Sequence, residues 1–379
     1  MAPADAARAL GFRDTKDRTA EERLLQYEKG AEVPSHSLLV KMSEKYRRSL
    51  LVFYLKQRPA KADRGTDFRT AVGSPSPTFD PTLDALIRDI LVRQDLVRSL
   101  LEDNESPRLA FVGSARNTVN RDVIVRSIIE TIGFQLDEFR KARNVDAAFA
   151  YLRQKIGSIG VFVVLAGNLG THHSNISSDV FRGYAIADEV APFIIINDQD
   201  AKSAWSFTAL HELAHIWIGA TGVSGEVLSA DGIERLCDRV AAQILVPENE
   251  ELAVPITSGM SVAEAASLIS AYAKAWKVSH SMVAFQFMAR GFISQTLWSE
   301  LSAMFRAEWM RSKEKKPTVE EAEGKPSYYV VRRHRIGPAL LGIVHRSLQE
   351  GAISQTKAGK VLGVKPRSVA PLLSNEGIA

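Results

Sequence analysis

Residues 192–219 read PFIIINDQDAKSAWSFTALHELAHIWIG, and this stretch decides the fold class. Its first part, Phe193 to Ile196, is a continuous apolar run closed by the turn residues Asn197 and Asp198, the pattern of a buried strand. Its second part carries helical periodicity and stops at Gly219, a residue suited to the left-handed end of a helix. Two further strand signals precede it, GVFVVLAG (160–167) and FRGYAIAD (181–188). Strands leading directly into a helix predict an α+β domain rather than a helical bundle.

The helix contains His211-Glu212-Leu213-Ala214-His215. Residues four apart lie on one helical face, so both imidazoles can reach one metal ion. Glu212 is turned about 100° from His211, placed to hold a water rather than the ion. A zinc site that hydrolyses needs three protein ligands and one position open to water. The third ligand must therefore come from another element.

A second helix is written in DGIERLCDRVAAQILVP (231–247). Ile233, Leu236, Cys237, Val240, Ala241, Ile244 and Leu245 keep i, i+3, i+4, i+7 spacing, and Pro247 ends the pattern. Its acidic residues on offer are Glu234 and, one turn on, Asp238. For Glu234 two readings stand side by side: a metal ligand, or the closing member of a capping box with Asp231. Cys237 lies on the apolar stripe and reads as core. His172 and His173 are adjacent, so their side chains do not face together, and a surface role is expected.

Composition bounds the remainder. The chain has 379 residues, enough for two or three domains. A formal net charge of +4 permits nucleic-acid contact without arguing for it. The lone cysteine excludes an internal disulfide and suits a reducing compartment. The opening MAPADAARAL lacks the build of a signal peptide, and no apolar run approaches the roughly 20 residues of a spanning helix. A cytoplasmic protein with no membrane partner is expected.

Along the chain, helical spacing at 1–58 is followed by a Pro- and Gly-containing linker at 59–80. The α+β domain spans 81–251, opening on the amphipathic DALIRDILVRQDLVRSLLED (84–103) and continuing through VIVRSIIETIG and DAAFAYLRQKIG. A helical subdomain covers 252–311, where Ser279 in KVSHSMVAFQFMARGFIS is placed to cap a helix. A charged, apolar-poor linker at 312–326 leads to a small Lys- and Arg-bearing domain at 327–379.

TALHELAHIWIG, followed by GIERLCDRVAAQILVP and preceded by PFIIIND, resembles the ImmA/IrrE family of metallopeptidase-like bacterial and phage regulators. Ile233-Glu234 and the run from Ala241-Ala242 to Pro247 match the family's second motif; Cys237-Asp238 stand where Ala-Asn is usual. The resemblance implies a zincin-like core, a small sheet plus active-site helices, flanked by helical N- and C-terminal domains. It carries the third-ligand role onto Glu234, beside His211 and His215, with Glu212 as general base. The N-terminal stretch is similar to the helix-turn-helix of phage-repressor-type (XRE-like) regulators. DAARALGF (5–12) looks like its scanning helix, TAEERLLQYEKG (19–30) like its recognition helix, and PSHSLLVKMSEKYRRSLLVFYL (34–55) like its closing helix. Two departures mark this module as degenerate: the first helix of that fold has no counterpart, and Glu21, Glu22 and Glu28 oppose the phosphate contacts that dominate DNA affinity. Arg23 and Gln26 are the residues there that could read base edges. In AISQTKAGKVLGVKPRSVAPLL (352–373), Lys365 and Arg367 are candidates for a second DNA-contacting surface, with a solvated charged face as the plainer reading.

The expected function is that of a regulatory zinc-dependent metalloendopeptidase. It would hydrolyse a peptide bond in a partner protein by zinc-bound water with Glu212 as base. In the resembling family the usual target is a transcriptional repressor encoded nearby, on a mobile element or in a stress operon. The alternative is a DNA-binding transcriptional regulator or antitoxin-like protein whose metal domain senses or binds without cleaving. Manganese or iron could occupy the same His/His/Glu set in place of zinc.

Overall fold

The computed structural model describes residues 3–55, 57, 81–219, 230–250, 260–314 and 327–374. The linker expected at 59–80 and most of that expected at 312–326 lie outside the described residues. The fold is mostly helical with one three-stranded sheet, an α+β arrangement. Two compact units are present: one contains the N-terminal helices, the first part of α4 (Pro81–Asp103) and residues 168–174, and the other contains the rest.

In the first unit, α1 (Pro3–Leu10), α2 (Ala20–Glu28) and α3 (His36–Tyr46) close around Ala6, Ala7, Leu10, Leu24, Leu39 and Met42. The helix starts follow their sequence signals. Thr19 and Glu22 form a reciprocal capping box, and the Ser35 hydroxyl accepts from the Leu38 N–H. The three expected helices form, but the connection between α1 and α2 runs from Gly11 to Thr19, well beyond the three or four residues of a tight helix-turn-helix. It is held by its own bonds, with Ala20 N–H donating to Asp14 Oδ1 at 2.7 Å and Phe12 N–H to Ala7 O at 2.9 Å.

The second unit is built on the sheet. Helices α5 (Arg121–Ile132), α6 (Leu136–Lys141) and α7 (Val145–Ser158) lead into β1 (Phe162–Leu165), β2 (Gly183–Ile186) and β3 (Phe193–Ile196). The strand order is β1-β3-β2, with β3 parallel to β1 and antiparallel to β2. All three strands are buried throughout, which accounts for their unbroken apolar sequences. Side chains alternate: Val163, Leu165, Ala185, Ile194 and Ile196 enter one core with α8 (Lys202–Ile218) and α9 (Ala230–Leu245). The helices α10 (Val262–Trp276), α11 (His280–Ala289) and α12 (Gln295–Glu314) contribute Ile269, Trp276, Phe287, Leu301 and Phe305 to that same core. Ser279 caps α11 through the Met282 N–H.

The chain closes with α13 (Tyr328–Ile336), α14 (Pro338–Gln349), α15 (Gln355–Leu362) and α16 (Val369–Leu373). Arg153 of α7 ties this segment to the sheet. Its guanidinium donates to Val163 O of β1 and to His334 O and Arg335 O of α13. Gly337, at φ +88°, has no room for a Cβ beside that guanidinium. Burial pushes Arg153 down to about 9, and the carbonyl acceptors supply its hydrogen bonds in place of water. Among the described residues, no helix is long and apolar enough to cross a membrane.

Candidate metal centre

The passage from β3 into α8 is fixed by Asn197, whose buried amide donates to Ile176 O at 3.1 Å and Phe181 O at 2.9 Å. α8 then crosses the sheet and is buried at nearly every position from Trp205 to Ile218. It ends at Gly219 in the left-handed conformation, where a Cβ would stand 2.9 Å from Gly113 Cα. The loop at Gly113 takes up the last carbonyls of the helix: Gly113 N–H donates to Ile216 O and Ala115 N–H to Trp217 O.

On this rigid helix His211, Glu212 and His215 are buried. The two imidazole Nε2 atoms approach to 3.0 Å. Glu234 of α9 faces them, its carboxylate oxygens 3.2 Å from His211 Nε2 and 3.5 Å from His215 Nε2. α9 begins at Ala230, so Asp231 lies inside its first turn rather than at the cap. Among the described residues, His211, His215 and Glu234 are the one group of metal-ligating side chains close enough together to hold an ion.

The donor set fits a divalent metal. Ligand atoms about 2.0–2.1 Å from one tetrahedral ion stand roughly 3.3 Å apart; here the two Nε2 atoms are 3.0 Å apart, with Glu234 Oε2 3.2 Å from His211 and Oε1 3.5 Å from His215. Asp238, one turn beyond Glu234, accepts from His211 Nδ1 at 3.0 Å. With Asp238 ionised and His211 neutral, as metal binding requires, this contact selects the tautomer protonated on Nδ1 and turns Nε2 toward His215 and Glu234. A carboxylate behind a histidine in this way orients the ring and raises its basicity towards a metal.

Glu212 lies beneath β2. A Cβ on Gly183 would stand 2.2 Å from Glu212 Oε1 and 2.6 Å from Thr208 Cγ2, so only glycine admits the carboxylate at this point of the strand. The site is asymmetric in exposure: the α8 groups are buried, whereas Glu234 and Asp238 are 30% and 46% exposed. Solvent therefore reaches the centre from the α9 side.

Gly183 is an addition to the residues singled out from sequence, and Asp238, named there only as an acidic residue on offer, gains a place beside His211. Asp238 carried a signal, its position one turn after Glu234 on the same helix; Gly183 carried none beyond interrupting a strand pattern. Cys237 is buried in the core as expected. His173 is exposed, and the side chain of His172 lies outside the described residues. Arg23 and Gln26 lie on α2, in the other unit, and do not join this site. Arg23 donates to Arg13 O at 2.9 Å and lies over the Phe12 ring, so contact with DNA would require it to leave both.

This is an α+β protein with a His/His/Glu group, geometrically able to bind a metal, on two crossing helices. Residues 166–288 match the family model described as IrrE N-terminal-like domain, of the Peptidase_M78 family. The matched segment contains β2, β3, the helices α8 to α10 and all but the last residue of α11, and it points to a metallopeptidase-like function for this part of the chain. No curated protein and no solved structure matches the chain.

Proposed function

We propose that the chain is a regulatory metalloendopeptidase that hydrolyses a peptide bond in a partner protein, with a transcriptional repressor as the substrate. The observation that carries this reading is the convergence of His211, His215 and Glu234 beside the buried Glu212. A bound divalent metal, zinc in this reading, would supply Lewis-acid polarisation of the scissile carbonyl and lower the pKa of water in the site. His211 and His215 would hold it through Nε2 and Glu234 through its carboxylate, with Asp238 keeping His211 in the ligating tautomer.

Glu212 supplies the proton chemistry. Held under Gly183, its carboxylate takes one proton from the attacking water as the oxygen bonds to the carbonyl carbon. It returns that proton to the amide nitrogen as the carbon–nitrogen bond breaks, so the base is regenerated. A buried carboxylate with few ways to move keeps its position through both transfers. The half-exposed Glu234 and Asp238 mark the side from which a peptide enters. In the domain organisation that goes with this reading, a zincin-like core is flanked by helical modules, the N-terminal one a degenerate helix-turn-helix.

The test is a comparison of wild type with Glu212→Gln. Metal content is measured in both, and each is incubated with repressors encoded near its gene. Metal in both proteins with cleavage only by wild type is the expected result. Wild type that binds no divalent metal, or cleavage that survives in Glu212→Gln, overturns the reading.

A further inference from the structure

The charge of the chain is unevenly placed. Residues 327–374 hold eight lysines and arginines against the single acid Glu350, a formal +7. The whole chain carries only +4, so everything outside this segment is net negative. A local excess of this size within a small helical module is the electrostatic footprint of a polyanion partner.

Five of the eight cations separate by what they touch, and a sixth, Arg335, is paired with Asp198 at 2.6 Å. Arg332 and Arg333 of α13 face inward and bind carbonyls at the ends of the last two helices. Arg332 donates to Gly363 O, and Arg333 Nε donates to Leu372 O at 2.9 Å. They anchor the helix pair and favour the negative ends of its dipoles. Lys360, Lys365 and Arg367 are exposed, and among the described residues they take part in no ion pair. The sequence from Ser354 to Ser374 contains no acidic residue.

The backbone that presents these cations is a tight helix-turn-helix. α15 ends at Gly363, in the left-handed conformation at φ +63°, and a single 3-10 turn at Pro366–Ser368 opens the second helix. The turn folds back closely on the first helix: a Cβ on Gly359 would stand 2.8 Å from Val364 O, and Val364 N–H donates to Gly359 O at 2.8 Å. Ala358, Val361 and Leu362 of the first helix and Val369, Leu372 and Leu373 of the second are buried. The outward surface keeps Lys365 just before the 3-10 turn, Arg367 within it, and Ala370 and Pro371 on the helix that follows.

We infer that this C-terminal helix pair is a docking surface for double-stranded DNA, with Lys360, Lys365 and Arg367 contacting phosphates. A slim cationic turn and the short helix it opens fit the wide major groove of B-form DNA, whereas the deep, narrow major groove of duplex RNA does not admit them. A protein partner is disfavoured by the surface itself. Among the described residues from Ser354 to Ser374, no large apolar side chain is exposed to anchor one.

The experiment is fluorescence anisotropy of the full chain with a short labelled duplex of mixed sequence, from about 50 to about 200 mM salt. Wild type is expected to bind, with affinity falling as salt rises. Lys365→Glu/Arg367→Glu should weaken binding at least about tenfold and reduce the salt slope by roughly two. Lys365→Gln/Arg367→Gln should shift both in the same direction by less, and serves if charge reversal disturbs folding, which circular dichroism reports. Arg23→Glu, in the N-terminal module, should leave most of the affinity in place. The inference is overturned by wild type that does not bind the duplex, by charge variants that bind it as wild type does, by loss confined to Arg23→Glu, or by preference for an RNA hairpin or an acidic peptide.

Discussion

Helices α8 and α9 build one centre in opposite ways. α8 is buried at nearly every position and contributes His211, Glu212 and His215 from within the core. α9 is amphipathic: it buries Leu236, Cys237, Val240, Ala241, Ile244 and Leu245, and brings Glu234 and Asp238 to the site from its half-exposed side. The difference separates two tasks. Groups that must hold their position during proton transfer sit on the element with least freedom, while acidic groups that would be costly to bury sit where water solvates them. Substitutions of the α8 site residues should therefore cost fold and chemistry together, and substitutions of Glu234 or Asp238 on α9 should cost metal alone.

The largest break in that comparison is expected from His211→Ala. It removes a ligand, strips Asp238 of its partner and opens a hole in a fully buried position. Metal content should fall to background. Chelation should lower the melting temperature of wild type, because a ligand that binds only the folded chain stabilises it, and should leave His211→Ala unmoved. Equal sensitivity of the two proteins to chelator would show that this helix does not hold the ion. Next in size is Gly183→Ala, which tests the buried side without touching a ligand. Its Cβ collides with Glu212 Oε1, so hydrolysis should drop by about 100-fold or more while metal content stays at the wild-type level. Full activity in Gly183→Ala would mean that Glu212 need not lie where β2 holds it.

The α8 half of the centre was legible because it is local. Two histidines four apart face one way on any helix, whatever surrounds them, and the apolar run of β3 announces a buried strand. The α9 half was legible only in part. The stripe from Ile233 to Leu245 identifies an amphipathic helix, yet whether Glu234 caps it or faces the histidines depends on how α8 and α9 cross. That crossing is set by packing between distant segments, so the residues themselves left both readings open and the family resemblance chose between them. Asp238 reaches His211 Nδ1 through the same crossing, and Gly183 is required only because Glu212 lies beneath it. Sheet order was out of reach for the same reason: nothing in three short apolar runs says that β3 lies between β1 and β2. The C-terminal helix pair was visible as a rhythm, but the division of its cations into inward anchors and an outward surface came from the tertiary contacts of Arg332 and Arg333.

On the α9 side, Glu234→Gln should sharpen the comparison by weakening metal binding while leaving the far-ultraviolet spectrum and melting temperature of the metal-free chain unchanged. The half-exposed carboxylate makes little contribution to the core. A large loss of apo-protein stability would place Glu234 among the structural residues instead.

The smallest expected effect is also the most discriminating. Asp238 can act through its charge or through its acceptor geometry, and two variants separate these. Asp238→Ala removes both, and metal affinity should fall by about 10- to about 100-fold, the usual consequence of losing the partner that orients a ligating histidine. Asp238→Asn keeps an oxygen that can accept from Nδ1–H, so the tautomer is preserved and only the charge is lost. Its affinity should lie between wild type and Asp238→Ala, nearer to wild type if orientation dominates. Competition titration with a chromophoric chelator measures all three. If both variants bind metal as tightly as wild type, the 3.0 Å contact has no part in holding the ion, and α9 contributes to the centre through Glu234 alone.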